Sequence, residues 1–427
     1  MEKAKEMKAF DKIIGYGSIK KELMRICDIM RNEELYKKLG VFVPSGLLLY
    51  GAPGVGKTTM ANCFIAASGR KAFVCRKDKP DGDFVNAIKK TFEKAAENAP
   101  SIVFLDDMDK FANGDDRHRN CEEFVTVQSC IDSVKGKGVF VFATINEEDA
   151  LPQSLLRAGR FDNRICVKAP RGEDAEKIVG YYIAQKKFVA DVDVRMVTRL
   201  LDGASCAELE TVINEAGVYA GYMRKEKIEM EDIVSACLRV IHSSPEAENP
   251  YSPVILERLA YHEAGHAVIA ELLEPGSVNF VSVRPHGGNV GGFTSYYQPE
   301  EYWFCASMME NRVRSLLGGR AATEIRFSEL DVGAGSDLNR AFRIVGRLTD
   351  DYCAQGFGNY TSGENSDGLL ARRDVSVASE IDRYYKETKK LLTDNRAFLD
   401  GVAHALMKKD VLTAAEIEAI KEESLAA

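Results

Sequence analysis

At 427 residues the chain is longer than one ordinary hydrophobic core supports, so two or three domains are expected. Its 45% hydrophobic and 29% charged content is that of a globular protein, which excludes a disordered or collagen-like chain. The formal charge of −8 is spread over mixed-sign stretches with no basic stripe, which argues against nucleic acid as the partner. In chain order, turn-bounded apolar runs alternate with helical patterns up to about Pro170: GLLLYG, KAFVC, SIVFLDD, GVFVFATIN and NRICVKA. That alternation predicts a parallel sheet in an α/β layer. From Arg171 to about His242 the period is helical throughout, as in DAEKIVGYYIAQ and AELETVINEAGVYAGYM, which predicts a small helical domain. HSSPEAENPYSP, His242 to Pro253, carries three prolines and reads as a linker. Beyond it the chain is mainly helical, with one strand pair, VNFVSVRP and GGNVGGFTSYY. The expected limits are therefore 1–170, 171–242, a linker at 243–253, and 254–427.

GAPGVGKTT, Gly51 to Thr59, follows the strand GLLLY and opens a helix, which is the context a phosphate-binding loop requires. Pro53 shapes the loop, and the backbone N–H groups of Gly54, Val55 and Gly56 onward to Thr59 can converge on phosphates. Lys57 supplies a point charge at the β/γ position and Thr58 a hydroxyl for Mg2+, so ATP and Mg2+ are the expected ligands. SIVFLDD ends a second buried strand in two carboxylates, Asp106 on the Mg2+ side and Asp107 placed to orient the attacking water. Asn146 ends the next strand and can hold that water or the γ-phosphate. Arg157 and Arg160 lie too far along to be local phosphate clamps and suit fingers acting on a neighbouring subunit.

The stretch YHEAGHAVI, Tyr261 to Ile269, places His262 and His266 one helical turn apart on one face, with Glu263 at its edge. Two such imidazoles can share a zinc ion while the carboxylate serves as base toward a water polarised by the metal. Equally, a pair of histidines at this spacing can be solvated or satisfied inside a core. The helix is expected from about Val254 to Leu273, stopped by Pro275-Gly276.

Taken together, GAPGVGKTT, FLDDMD and ATINEEDALPQSLLRAGRFD resemble the AAA+ ATPases, and the whole chain from about Phe10 resembles the FtsH family of ATP-dependent zinc proteases. The resemblance implies an α/β AAA+ domain with a parallel sheet and helical lid, followed by a mainly helical zinc-protease domain. It implies that FDKIIGYGSIKKEL lines the adenine pocket around Ile14 and Gly15, and that DGASCAELETVINEAG belongs to the lid. In VGAGSDLNRAFRIV it implies Asp337 as the third zinc ligand, a residue that otherwise reads as an acid of a helix N-terminal turn. GGFTSYY is similar to the family's edge strand, which pairs with an extended substrate. The implied activity is an ATP-driven zinc endopeptidase that unfolds, translocates and degrades proteins, assembled as a hexameric ring.

Four departures bear on that expectation. The family carries transmembrane helices ahead of the ATPase, whereas about nine residues precede the match here, so either this is a soluble relative or a membrane segment precedes it. Asp107 stands where the family has Glu. In DFVNAIKKTFEKA, Phe84 is either the aromatic of a substrate-gripping pore loop or a hydrophobe at a helix start. Thr323 replaces an acid near the metal. These leave two other readings open: a remodelling chaperone with a vestigial zinc site, and a slow nucleotide-dependent interaction module. No apolar run reaches the roughly 18 residues of a membrane span and no signal peptide is visible. Ten scattered cysteines without a CxxC pair suit a reducing, cytoplasmic setting, with Cys63, Cys166 and Cys237 expected as core filler.

Overall fold

The computed structural model describes residues 8–41, 43–77, 81–112, 121–147, 149, 151–152, 154–157, 159–161, 163–187, 189–244, 251–285, 291–297, 305–330, 332–356 and 366–426. The chain divides into two units, Met1–Ile233 and Val234–Ala427, so the division falls within a helix, Met230–Val240. Residues 245–250 of the expected linker lie outside the described residues. Among the described residues no helix is long and apolar enough to cross a membrane.

In the first unit the five apolar runs are strands: β1 (Gly46–Tyr50), β2 (Lys71–Cys75), β3 (Ser101–Leu105), β4 (Val139–Ile145) and β5 (Asn163–Cys166). They form one parallel sheet in the order β2-β3-β4-β1-β5. Every residue of β3 and β4 is buried, as expected of central parallel strands, which read as continuous apolar runs. The register pairs Tyr50 with Ile145 and Leu105 with Ala143, so the segments after β1, β3 and β4 leave the sheet at one edge. That carboxyl edge is where α/β sheets bind ligands. The helices of this unit are α1 (Gly17–Arg31), α2 (Glu33–Lys38), α3 (Lys57–Ser68), α4 (Asp81–Glu97), α5 (Cys121–Ser133), α6 (Gly172–Ala184), α7 (Val194–Leu200) and α8 (Cys206–Tyr222), with α9 (Met230–Val240) at the division.

Two sequence expectations are resolved here. Phe84 sits in the first turn of α4 at 1% exposure, edge-on to Phe111 with ring centroids 5.1 Å apart. It is a core residue and not an exposed pore aromatic. Cys63 and Cys237 are buried as expected, but Cys166 is exposed, because β5 is an outer strand whose residues alternate between half-buried and exposed.

The second unit is built on α10 (Pro253–Leu273), β6 (Val278–Ser282), β7 (Phe293–Tyr296), α11 (Ala306–Phe327), α12 (Gly335–Asp350), α13 (Asp367–Asp394), α14 (Arg396–Lys409), β8 (Val411–Thr413) and α15 (Ala414–Ala426). Three strands form an antiparallel sheet in the order β7-β6-β8. Helix α10 begins where Ser252 accepts a hydrogen bond from the Ile255 N–H, with Pro253 in the first turn. It has no solvent-exposed face along its middle: Ala260, Tyr261, Ala264, Ala267 and Val268 have no exposure at all, and Glu263 and His266 are buried too. Its partner is α11, and the two backbones touch. A Cβ on Gly265 would lie 2.6 Å from the Ala322 Cβ, and one on Gly318 would lie 2.8 Å from the Gly265 carbonyl carbon. Only glycine permits this approach.

Candidate functional site

The nucleotide half is assembled at the carboxyl edge of the parallel sheet. Gly54 and Gly56 hold φ of +81° and +97°, which lets the loop after β1 curl back before α3 starts at Lys57. The Lys57 ammonium is 6% exposed and donates to the carbonyls of Gly51 (2.6 Å) and Ala52 (2.9 Å) and to Asn146 Oδ1 (3.1 Å). Burial lowers its pKa, against the opposing pull of Asp107, Asp109 and Asp106. Thr58 Oγ1 and Thr144 Oγ1 both donate to Asp106 Oδ1, at 3.0 and 2.9 Å, and Arg76 caps Asp106 Oδ2. Burial works to raise the Asp106 carboxyl, but the bonds from Arg76, Thr144 and Thr58 hold it below the usual range, so it is an anion. Asp107 has φ +52°, its N–H bonds Thr144 Oγ1 (2.9 Å), and its carboxylate pairs with Lys110 at 2.6 Å. Asn146 is oriented by Asp109 Oδ2, which accepts from its N–H and its Nδ2. A buried hydroxyl, a buried anion and a buried ammonium at one sheet edge are the donor set that Mg2+ and a triphosphate require.

Ile14, Val55, Gly56 and Thr59 line one cavity of 270 Å3, closed by Tyr16, Tyr181 and Cys206. Gly15 precedes Tyr16 with φ +67°, and a Cβ there would meet the Asp174 carbonyl at 3.0 Å. Pro53 is exposed at the loop tip. Of the two arginines, Arg157 is exposed, whereas Arg160 is held within the chain: its Nε and Nη2 bind Asp132 at 3.1 and 2.8 Å, and Nη1 binds the Ser154 carbonyl.

The metal half lies in the second unit. His262 Nε2 and His266 Nε2 face each other at 3.1 Å, and Asp337 Oδ2 lies 3.6 and 3.5 Å from them. Asp337 comes from the first turn of α12, as the sequence placed it. The His266 Nδ1 is 2.7 Å from the Ser315 carbonyl and must donate to it, which leaves the Nε2 lone pair directed into the cluster. Three ligand atoms within 4.8 Å of one another, two imidazole nitrogens and a carboxylate oxygen, form a set that could hold a metal ion. Burial works to raise the Asp337 carboxyl, yet the two imidazoles hold it well below the usual carboxylate range. Glu263 stands beside the cluster at 5% exposure, its Oε2 accepting from Thr294 Oγ1 at 3.0 Å. Burial pushes its carboxyl up to about 7, against the pull of His262 and Thr294. A carboxylate poised near neutrality takes and returns protons readily. Thr323 is fully buried and spends its hydroxyl on the carbonyls of Gly319 and Arg320 in its own helix. The Ser315 carbonyl orients His266 instead.

Sequence reasoning passed over several of these groups. Thr144 was signalled by a lone hydroxyl inside the apolar run VFVFATI; Arg76, Asp109, Thr294 and Ser315 had no local signal, since each meets its partner only in the folded chain. Nucleotide hydrolysis and metal-assisted hydrolysis are thus provided for in one polypeptide, which makes the protein an ATPase joined to a metallopeptidase. The family model of the ATPase family associated with various cellular activities (AAA) matches residues 47–169, and that of Peptidase family M41 matches residues 256–420. The chain is 31% identical over 433 residues to the ATP-dependent zinc metalloprotease FtsH 3 of Phytoplasma mali (strain AT), covering 97% of this chain and 71% of that protein. It is 31% identical over 434 residues to the ATP-dependent zinc metalloprotease FtsH 2 of Thermoanaerobacter sp. (strain X514), covering 97% and 83%. The chain belongs to the FtsH family of ATP-dependent zinc metalloproteases, with Zn2+, ATP and Mg2+ as its cofactors.

Proposed function

We propose that this chain degrades protein substrates, drawing them in with the energy of ATP hydrolysis and cutting them at the His262, His266 and Asp337 cluster. The observation that supports the cutting step is the buried Glu263, placed beside three converging ligand atoms and held by Thr294. Zinc, when bound there, polarises a water molecule and the scissile carbonyl. Glu263 takes a proton from that water through its Oε atoms and delivers it to the leaving amine, while Thr294 keeps the carboxylate aimed. Strand β7, outermost in its sheet among the described residues, would offer the backbone of Phe293–Tyr296 to an extended chain.

In the ATPase half, Lys57 and the backbone N–H groups of Gly54 to Thr59, in a loop shaped by Pro53, would bind the phosphates, Thr58 and Asp106 the Mg2+, Ile14 and Gly15 the adenine, and Asn146 and Asp107 the attacking water. Arg157 and Arg160 would act on the nucleotide of a neighbouring subunit in a hexameric ring. Arg157 is free to reach outward, while Arg160 must first leave Asp132. The working domains would be 1–170, 171–242 and 254–427, joined by 243–253. Nine of the ten cysteines carry thiols outside any disulfide, which would suit a reducing cytoplasmic setting.

The test is Glu263→Gln beside Asp337→Asn, with zinc content measured by elemental analysis and cleavage of an unfolded protein followed on gels. Glu263→Gln should keep its zinc and lose cleavage; Asp337→Asn should lose zinc; both should keep ATPase activity. A Glu263→Gln protein that still cleaves, or an Asp337→Asn protein with full zinc and full activity, refutes these roles.

A further inference from the structure

The metal cleft, a cavity of 570 Å3, does not end at the metal ligands. Tyr296 and Arg312 line both it and a second cavity of 400 Å3, walled by Ala270, Leu273 and Met308. The second cavity is apolar along that wall yet carries two groups whose bonding capacity is unused. The Arg312 guanidinium is half-buried, stacks over the Tyr296 ring at 3.9 Å, and has no carboxylate partner among the described residues. Other half-buried arginines of the same unit are paired: Arg314 holds Glu387 at 2.9 Å, and Arg373 holds Asp350 at 2.8 Å. The Ser277 hydroxyl, which also lines this cavity, is buried without a hydrogen-bond partner among the described residues. Glu274 is the carboxylate among the lining residues, and its Oε1 is taken by Asn311 Nδ2 at 3.2 Å.

A half-buried guanidinium and a buried hydroxyl left without acceptors cost free energy that a ligand carrying an anion can recover. The aromatic face under Arg312 holds the fork in place, so less freedom is lost when a carboxylate docks on it. We infer that the cavity behind Tyr296 and Arg312 is a side-chain subsite of the peptidase, taking an acidic residue that flanks the scissile bond. Its carboxylate is received by the Arg312 guanidinium and the Ser277 hydroxyl. The apolar wall of Leu273 and Met308 packs on the methylenes, which favours Glu over the shorter Asp. This assignment rests on the reading of the metal cleft as the peptide-cutting centre.

The experiment uses the zinc-loaded full chain with Mg2+ and ATP and four fluorogenic peptides, differing only by Glu or Gln at the residue before or after the scissile bond. At one of the two positions the wild-type chain should prefer Glu over Gln by roughly tenfold in kcat/KM, carried by KM, as befits a charge-assisted hydrogen bond. That preference should shrink with rising salt. Arg312→Gln should bring the Glu/Gln ratio to near one, Arg312→Lys should keep part of it, and Ser277→Ala should lower it. Because the ratio is taken within one protein preparation, a general loss of folded enzyme does not move it. A wild-type ratio near one at both positions overturns the assignment, as does a preference that survives Arg312→Gln. Failure of the wild-type chain to cleave any of the four peptides overturns it by removing the peptidase centre beneath it.

Discussion

Gly319 follows the glycine that lets α10 and α11 touch, and its own role is different. A Cβ on Gly319 would stand 2.6 Å from His266 Nε2 and 2.7 Å from His262 Cε1 and Nε2, about 0.7–0.8 Å inside the 3.4 Å at which ordinary contact begins. Neither imidazole can absorb that displacement freely, since His266 is tied to the Ser315 carbonyl at 2.7 Å and both rings grow from one buried helix. Metal–ligand distances tolerate only about ±0.2 Å, so Gly319→Ala pushes the pair several times past that margin. The expected result is a loss of about 10- to 100-fold in zinc affinity, comparable to removing an outer-shell partner. Zinc affinity would be measured by competition with a chromophoric chelator, beside peptide cleavage, ATPase activity and thermal melting. ATPase activity should persist. Gly318→Ala is the contrasting control: its Cβ meets backbone of α10 instead of imidazole, so it should lower thermal stability, at about 1–3 kcal/mol for overpacking. Wild-type zinc affinity and cleavage in a well-folded Gly319→Ala protein would refute the reasoning.

Lys57→Ala should abolish nucleotide binding and, with it, degradation of folded substrates, while short peptides are still cut; unchanged affinity in a fluorescent-nucleotide titration would overturn the phosphate-loop assignment. Arg157→Ala should bind ATP normally and lose turnover on the order of 1,000-fold, partly restored on mixing with Lys57→Ala chains; turnover independent of protein concentration in a monomeric protein would refute it. Asp107→Glu should raise ATP turnover, because the longer acid reaches past its present pairing with Lys110 at 2.6 Å; an unchanged or lower kcat counts against this. Ser205→Ala removes the capping box in which Ser205 and Glu208 satisfy each other's N–H groups at the start of α8. It should cost about 1 kcal/mol and lower the melting temperature by roughly 2–4 °C in scanning calorimetry.

Much of this site was legible because its residues announce themselves by spacing. The five parallel strands are continuous apolar runs, and His262 and His266 share a helix face by arithmetic alone. The P-loop is recognisable from glycines between a strand and a helix. What stayed hidden depends on chain segments meeting across long separations. Arg76 reaches Asp106 over a gap of thirty residues, and Arg160 finds Asp132 across twenty-eight, so its capture within the chain could not be read from a short helix alone. Strand β8, Val411–Thr413, is three residues between two helices, too short to show an alternation, and exists because β6 offers it a free edge. Phe84 shows the same limit in reverse. Its neighbours in sequence suited a loop tip or a helix start equally, and only the ring of Phe111 decides between them.

The backbone contact between Gly265 and Gly318 also bears on how firmly the two histidines are held. At that contact no long side chain separates α10 from α11, so no rotamer change there spreads the two histidines. Asp337 is different: it rides the first turn of α12, next to a short turn whose Val332 is 96% exposed. Helix ends fray at far smaller free energies than packed interiors open. A carboxylate on such a helix end would be the ligand freest to leave a bound zinc, while the two histidines, on a buried helix, would stay in place.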